Sequence, residues 1–336
     1  PGGIDVLLAG LKQQTFKDFE VILVDHRYEK RHEVVRKAFS EAGIKLIHVP
    51  EHRRNFKWIS LASGWNTGFM LARGRVVIML VDYAFTPVGW IEQHLKWHND
   101  SANKKMIVAP HAYTNLPPLK FTPPSISIET FQTKYVEWID DGVLDEFSIF
   151  TEPFTAETMK TLTVTPPPLN DPKILMAEGY TYRDFSHMKN ESFLLESVLA
   201  INGVDEHADL GKGPCDRELG NRFEKSGNRM YLYPPAIVYV PNPRFILPGL
   251  PWGMTHERVH VDGDCDRWSF DDGFKWEAKR FNEVDNGINQ KAYTPYNMRE
   301  KIKELEAWRR AELIDVSKLD KTNREYFGEE ECKPIQ

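Results

Sequence analysis

Leu11-Lys-Gln-Gln-Thr-Phe-Lys-Asp-Phe-Glu-Val-Ile-Leu-Val-Asp25 is the stretch whose reading decides the fold. It passes from the end of an apolar-periodic segment, through a polar turn, into a short aliphatic run that stops at an acid. Apolar residues at helical spacing predict a helix over residues 4–14, and the run over residues 19–24 reads as a strand. Outward from there the order repeats. A helix over 32–42 precedes a strand over 44–49, a helix over 59–72 ends at Gly74, a buried strand covers 76–81, and another helix covers 90–98. Helices alternating with near-continuous apolar strands predict an α/β fold, Rossmann-like, with a mostly parallel sheet covered on both faces. The chain opens on Pro1-Gly2-Gly3 and passes straight into a helix with no initiator Met, so a first strand is expected ahead of residue 1.

From about residue 113 to 171 the texture changes to proline pairs and threonine-rich stretches, which read either as an insertion over a site or as a surface linker. A helix is predicted over 192–201, a turn at Gly203, and a late strand over 230–240. Met298, Ile302, Leu305 and Ile314 fall roughly on one face of the charged segment 297–315, so the tail reads as a helix packed on the parent domain.

The 336 residues, 41% hydrophobic, suffice for a sizeable core. A formal charge of −6 argues against a mainly electrostatic grip on nucleic acid, although the basic strip Glu51-His-Arg-Arg-Asn-Phe-Lys57 could bind phosphates. Cys215, Cys265 and Cys332 lack C-x-x-C spacing and read as free thiols of a reducing compartment. The longest apolar run is stopped by Asp82, far short of a membrane span, and no signal peptide is read at the start. A cytoplasmic location is therefore expected.

Lys212-Gly-Pro-Cys-Asp-Arg-Glu-Leu219 places carboxylates at the start of a helix directly after a glycine turn. There the macrodipole favours the anion, so Asp216 is the first candidate for a general base, and a plain helix cap is its structural alternative.

These residues resemble the inverting family-two glycosyltransferases, nucleotide-diphospho-sugar enzymes of the GT-A fold, over most of residues 1 to 245. The stretch Leu11 to Asp25 looks like that family's opening helix and second strand, which ends in an acid beside the nucleotide base. Trp65-Asn66-Thr67-Gly68 followed by Ala72-Arg73-Gly74 is similar to its Arg-Asn-x-Gly and Ala-x-Gly pattern, with tryptophan in place of arginine. Val204-Asp-Glu206 and Cys215-Asp-Arg-Glu-Leu219 look like its Gly-Phe-Asp-Glu and Glu-Asp-x-Asp-Leu elements. The resemblance implies a nucleotide-sugar-binding half over 1–112, an acceptor-side half with the proline-rich insertion and the base over 113–250, and a lid loop with a helical extension over 251–336.

It also implies roles. Asp216 is the catalytic base, Asp25, Asn66 and Asp82 lie against the nucleotide-sugar donor, and Asp82 with His256 holds a divalent cation, Mn²⁺ or Mg²⁺. The Asp-x-Asp pair is incomplete here, because Leu80-Val-Asp-Tyr-Ala-Phe85 has a single acid. The acceptor is a hydroxyl whose carrier is open: glycan, lipid, protein or nucleic acid. His256-Glu-Arg-Val-His260 also has the H-E-x-x-H spacing of zinc proteases, but Pro251 and Gly253 precede it and no long apolar helix encloses it. The acids of Asp262-Gly-Asp-Cys-Asp266 read as a solvated turn, since Arg267 and Gly273 stand where a calcium loop needs glycine and glutamate. Trp252, Trp268, Phe270 and Trp276 read as core first and as a stacking platform second. A GT-A-like binding protein without turnover is the alternative of a different class.

Overall fold

The computed structural model describes residues 3–54, 60–99, 105–115, 117, 148, 150–165, 189–210, 215–241, 270–310, 313–319 and 321–328. Helix α1 (Ile4–Lys12) buries Ile4, Val6, Leu7, Leu8 and Leu11. It lies so close to the loop beyond the third strand that a Cβ on Gly10 would come within 2.4 Å of the Thr86 nitrogen. Gln14 fastens this contact, donating from Nε2 to Gly10 O at 3.0 Å and to Pro87 O at 2.7 Å. Strand β1 (Val21–Val24) pairs in parallel with β2 (Leu46–Val49), and α2 (Tyr28–Glu41) makes the crossover. Tyr28, Arg31, Val35 and Phe39 form the buried stripe of α2, at the spacing of one helical face.

Next come α3 (Leu61–Leu71), β3 (Val76–Leu80), α4 (Trp90–Leu95), β4 (Lys105–Val108) and β5 (His111–Thr114). They are followed by α5 (Ala156–Thr161), β6 (Val164–Thr165), β7 (Asn190–Leu194) and α6 (Leu195–Ala200). Helix α7 (Cys215–Lys225), β8 (Arg229–Leu232) and β9 (Val238–Pro241) then lead to α8 (Phe270–Asp285), α9 (Met298–Leu305) and α10 (Asn323–Phe327). The strands lie in order β3-β7-β4-β8 in one sheet and β6-β5-β9 in another, beside the β1-β2 pair. Pairs β4–β8 and β5–β9 are parallel, whereas β7 runs antiparallel to both β3 and β4. The fold is mixed α/β, and among the described residues no helix is long and apolar enough to cross a membrane.

Strand direction and two elements differ from the sequence reading: where the pattern predicts a mostly parallel sheet, the described strand pairs are three parallel and three antiparallel, because β7 and β6 run against their neighbours. The predicted helix over 192–201 is a strand up to Leu194 and a helix only from Leu195. Strand β7 is buried along its whole length, and two of its polar residues share a neighbour: His94 meets Ser192 Oγ at 2.9 Å and Asn190 Oδ1 at 3.0 Å. A buried polar strand has no period-2 signature, so only its partners reveal it. The single late strand is two strands, β8 and β9, parted by a 3₁₀ turn at Pro234–Ala236, where consecutive prolines cannot supply ladder N–H groups.

One core joins early and late parts of the chain: Ile47, Phe69, Met106, Phe193, Phe223, Trp276, Met298 and Ile314 belong to the same buried cluster. Trp276 is thus core, as the sequence reading puts first. The Phe193 ring lies 5.7 Å from Phe69 and 5.0 Å from Phe223, which clamps β7 between α3 and α7. Each such side chain contributes about 1.5–3 kcal/mol by burial. Phe223 and Leu219, both fully buried, thereby seat the helix that carries Asp216.

Candidate active site

The first constellation forms where β1 and β3 end. Asp25 follows β1 and is 2% exposed. Its Oδ2 accepts from Arg31 Nε at 2.6 Å and His48 Nε2 at 2.8 Å, and its Oδ1 accepts from Arg31 Nη2 and the Arg27 nitrogen, both at 2.8 Å. Burial alone would raise the Asp25 pKa, but the His48 and Arg31 bonds outweigh it and hold the carboxyl well below the usual range. Burial lowers the His48 pKa, against the pull of Asp25, so this imidazole is neutral and donates from Nε2. Arg31 also reaches the acid beyond β3, with Nη2 3.5 Å from Asp82 Oδ2. The side chain of Asp82 is about one-third exposed (32%), whereas those of Asp25 and Arg31 are enclosed. The structure thus brings two predicted residues, Asp25 and Asp82, into one ion-pair cluster through a third that the sequence reading passed over.

The second constellation is internal. Asn66 on α3 is buried, donating to Val204 O at 2.9 Å and Glu206 Oε1 at 2.8 Å while its Oδ1 accepts from the Val204 nitrogen at 2.7 Å. Its carboxamide thereby stitches α3 to the turn after α6. Gly203 makes the approach possible: its φ is +77°, and a Cβ there would lie 2.3 Å from Asn66 Oδ1. Glu206 also accepts from Tyr296 and from the Tyr326 hydroxyl, the latter at 2.8 Å. Asp209 caps α3 by accepting from the Ala62 and Ser63 nitrogens at 2.9 and 3.0 Å. Burial pushes the Asp209 carboxyl up to about 7, opposed by Arg53 at 3.7 Å. Arg53 itself, part of the basic strip read as a possible phosphate contact, is 1% exposed and lies 4.7 Å from the Tyr326 ring centre. Its charge is turned inward.

Asp216 occupies the first turn of α7, half-buried, with Oδ1 accepting from the Arg217 nitrogen at 2.9 Å. Two residues on, Glu218 points the other way: it is fully buried and holds Arg222 in two bonds of 2.5 and 2.8 Å, with Arg280 Nη2 at 3.5 Å. Of the two acids in this motif, Asp216 is therefore the accessible one. Arg280 continues the network to Asp205 Oδ2 at 3.2 Å, so α7, α8 and the turn after Gly203 are tied by buried charge. Burial pushes the Cys215 thiol well up, with Asp216 and Asp209 adding to the effect, so it stays a neutral thiol beside the candidate base.

A divalent cation needs several hard ligands. Among the described residues no group of three or more His, Cys, Asp or Glu could hold one, and the neighbour of Asp82 is a guanidinium rather than a second acid. The described donor set does not fit a protein-built metal centre. His256, with Glu257 and His260, lies outside the described residues. Trp65, in the place of the family's arginine, packs against the main core. The sequence reading missed Arg31, although its place in the helix after an acid-ended strand is a signal that could have been used. It also missed Glu206's tyrosine partners, for which no local signal exists.

Residues 3–146 match the model of Glycosyl transferase family 2. Among solved structures, the chain is similar to the mannosyltransferase PcManGT from Pyrobaculum calidifontis, in complex with GDP-Man and Mn²⁺, at 14% identity and a TM-score of 0.40. That alignment covers 70% of this chain and 53% of the other, so this chain spans about half the length of that protein. Residues 1–349 of S. aureus TarS align at 10% identity and a TM-score of 0.41, over 96% of this chain and 94% of the other. No curated protein matches the chain in sequence. The match to Glycosyl transferase family 2 thus falls on the part of the chain, residues 3–146, that carries Asp25, Asn66 and Asp82.

Proposed function

We propose that the chain is an inverting glycosyltransferase that moves a sugar from a nucleoside-diphosphate donor to an acceptor hydroxyl. The observation that carries this reading is the Asp25–Arg31–Asp82 cluster at the strand ends of the family-two segment, where ligands of open α/β sheets sit. Asp82 is its exposed member and faces the donor. Asp25 and Asn66 serve the site from within, the first by fixing Arg31 and the second by holding the turn that leads to α7.

Asp216 is the general base. It takes the proton of the acceptor hydroxyl while that oxygen attacks the anomeric carbon on the face opposite the diphosphate. The new carbon–oxygen bond forms as the bond to the phosphate oxygen breaks, and the nucleoside diphosphate leaves with the electron pair. Configuration is inverted because attack and departure are on opposite faces. Mn²⁺ or Mg²⁺, when bound, would help neutralise the diphosphate, with Asp82 and His256 as our candidate ligands alongside the donor's own oxygens.

The test is release of nucleoside diphosphate from a panel of UDP- and GDP-sugars. Asp216→Asn should lower turnover roughly 10²- to 10⁴-fold and leave donor binding nearly unchanged. Turnover retained in this variant would remove the assigned base. A second reading, a nucleotide-sugar-binding protein without turnover, is favoured by the single acid beyond β3. Saturable donor binding with no release in the presence of hydroxyl acceptors would support that reading instead.

A further inference from the structure

We propose that Arg31 is a positioning residue that sets the charge of the crevice, favouring an anionic diphosphate and disfavouring a free divalent cation at Asp82. The diphosphate half of this proposal rests on the glycosyltransferase reading; the cation half rests on the geometry alone. Arg31 is 5% exposed and held in a two-point grip by Asp25, which is itself fixed by His48 and the Arg27 nitrogen. A guanidinium gripped on two edges cannot swing away cheaply, and it stays charged at any ordinary pH. Its Nη2 remains 3.5 Å from Asp82 Oδ2, under the one carboxylate of the cluster that reaches solvent.

Charge counting gives the consequence. Two carboxylates, one guanidinium and a neutral His48 leave the cluster one unit negative, and without Arg31 it would be two units negative. Mn²⁺ arriving at Asp82 meets a competing cation already in contact with that carboxylate. A diphosphate arriving there meets an acid whose repulsion is offset from beneath. Removing the guanidinium should therefore move the two affinities in opposite directions, whereas a purely structural role would lower both.

The experiment is calorimetric titration of wild type, Arg31→Gln, Arg31→Lys and Asp82→Asn with Mn²⁺ alone and, without metal, with pyrophosphate, UDP and GDP. Arg31→Gln should bind Mn²⁺ at least about threefold more tightly, and pyrophosphate and both nucleotides about tenfold more weakly. Arg31→Lys keeps the charge and should stay within about threefold of wild type for both. The gain in Mn²⁺ affinity should vanish when Asp82→Asn is added. Because Arg31→Gln leaves Asp25 buried without its ion-pair partner, the double variant Asp25→Asn/Arg31→Gln serves if the single one does not fold. It keeps the wild-type net charge but lacks the cation in contact with Asp82, so it must bind pyrophosphate more weakly and Mn²⁺ more tightly than wild type, each by less than Arg31→Gln does. Unchanged affinities, or both falling together, would overturn the proposal. Wild type that binds neither pyrophosphate nor either nucleotide would remove the glycosyltransferase reading and the diphosphate half with it, while the Mn²⁺ titrations would still decide the cation half.

Discussion

Glu218→Ala should be among the most damaging single substitutions near the site, although Glu218 sits two residues from the proposed base and takes no part in the chemistry. Its carboxylate receives Arg222 Nε at 2.5 Å and Nη2 at 2.8 Å, and Arg280 approaches at 3.5 Å. Truncation leaves Arg222, fully buried, with Ile201 O at 3.0 Å as the remaining bond of its guanidinium. Breaking a buried ion pair from one side costs about 3–5 kcal/mol, because an uncompensated charge stays in the interior. With a urea slope of about 2 kcal/mol/M, the denaturation midpoint should fall by about 1.5–2.5 M. Tryptophan fluorescence reports the transition directly, since Trp276 is in the same core that seats α7. Asp216→Asn, by contrast, changes a half-buried side chain in the first helical turn and should shift stability by less than about 1 kcal/mol. The pair of variants thus separates holding the helix from doing the chemistry. A Glu218→Ala midpoint within about 0.5 M of wild type would refute the account of α7 as fixed by buried charge.

Two further outcomes are expected. Gly203→Ala should destabilise by more than about 2 kcal/mol, because the left-handed φ of +77° and the 2.3 Å and 2.4 Å approaches to Asn66 Oδ1 and Met298 Sδ act together; thermal unfolding and amide exchange at Val204 measure it, and a loss under 1 kcal/mol would contradict the packing. Asp25 titrates below its unfolded value, so it contributes stability that is present above about pH 4 and lost as the pH falls below that. Urea midpoints between pH 2.5 and 6 should therefore drop steeply toward acid in wild type and more gently in Asp25→Asn, and parallel profiles would speak against the His48–Asp25–Arg31 arrangement.

What the sequence determined by itself is the order of elements up to α4 and the two acids that end strands. Ile4 to Leu11 and Tyr28 to Phe39 carry helical periodicity within themselves, and Val21–Val24 and Val76–Leu80 are short aliphatic runs bounded by polar residues. Those signals are local, a few residues wide, and need no partner to be read. That Asp25 and Asp82 come together is expected from the same pattern, but β1 and β3 lie in separate sheets, and it is Arg31 that joins the two acids.

Only the tertiary structure decided what each polar side chain does there. Asn66 reads equally as a donor contact or an internal tie until Val204, 138 residues away, claims its carboxamide. Glu206 finds Tyr326 across 120 residues, and Asp205 and Glu218 find Arg280 on a helix with no motif to announce it. Glu218 and Asp216 are equivalent acids in the sequence of α7, yet the fold buries one and leaves the other half-exposed. A polar group's role depends on which donors and acceptors the fold sets around it and on how much water it excludes. Neither is encoded in the spacing of its neighbours along the chain, so the strands were legible in the sequence and the division of labour among the acids was not.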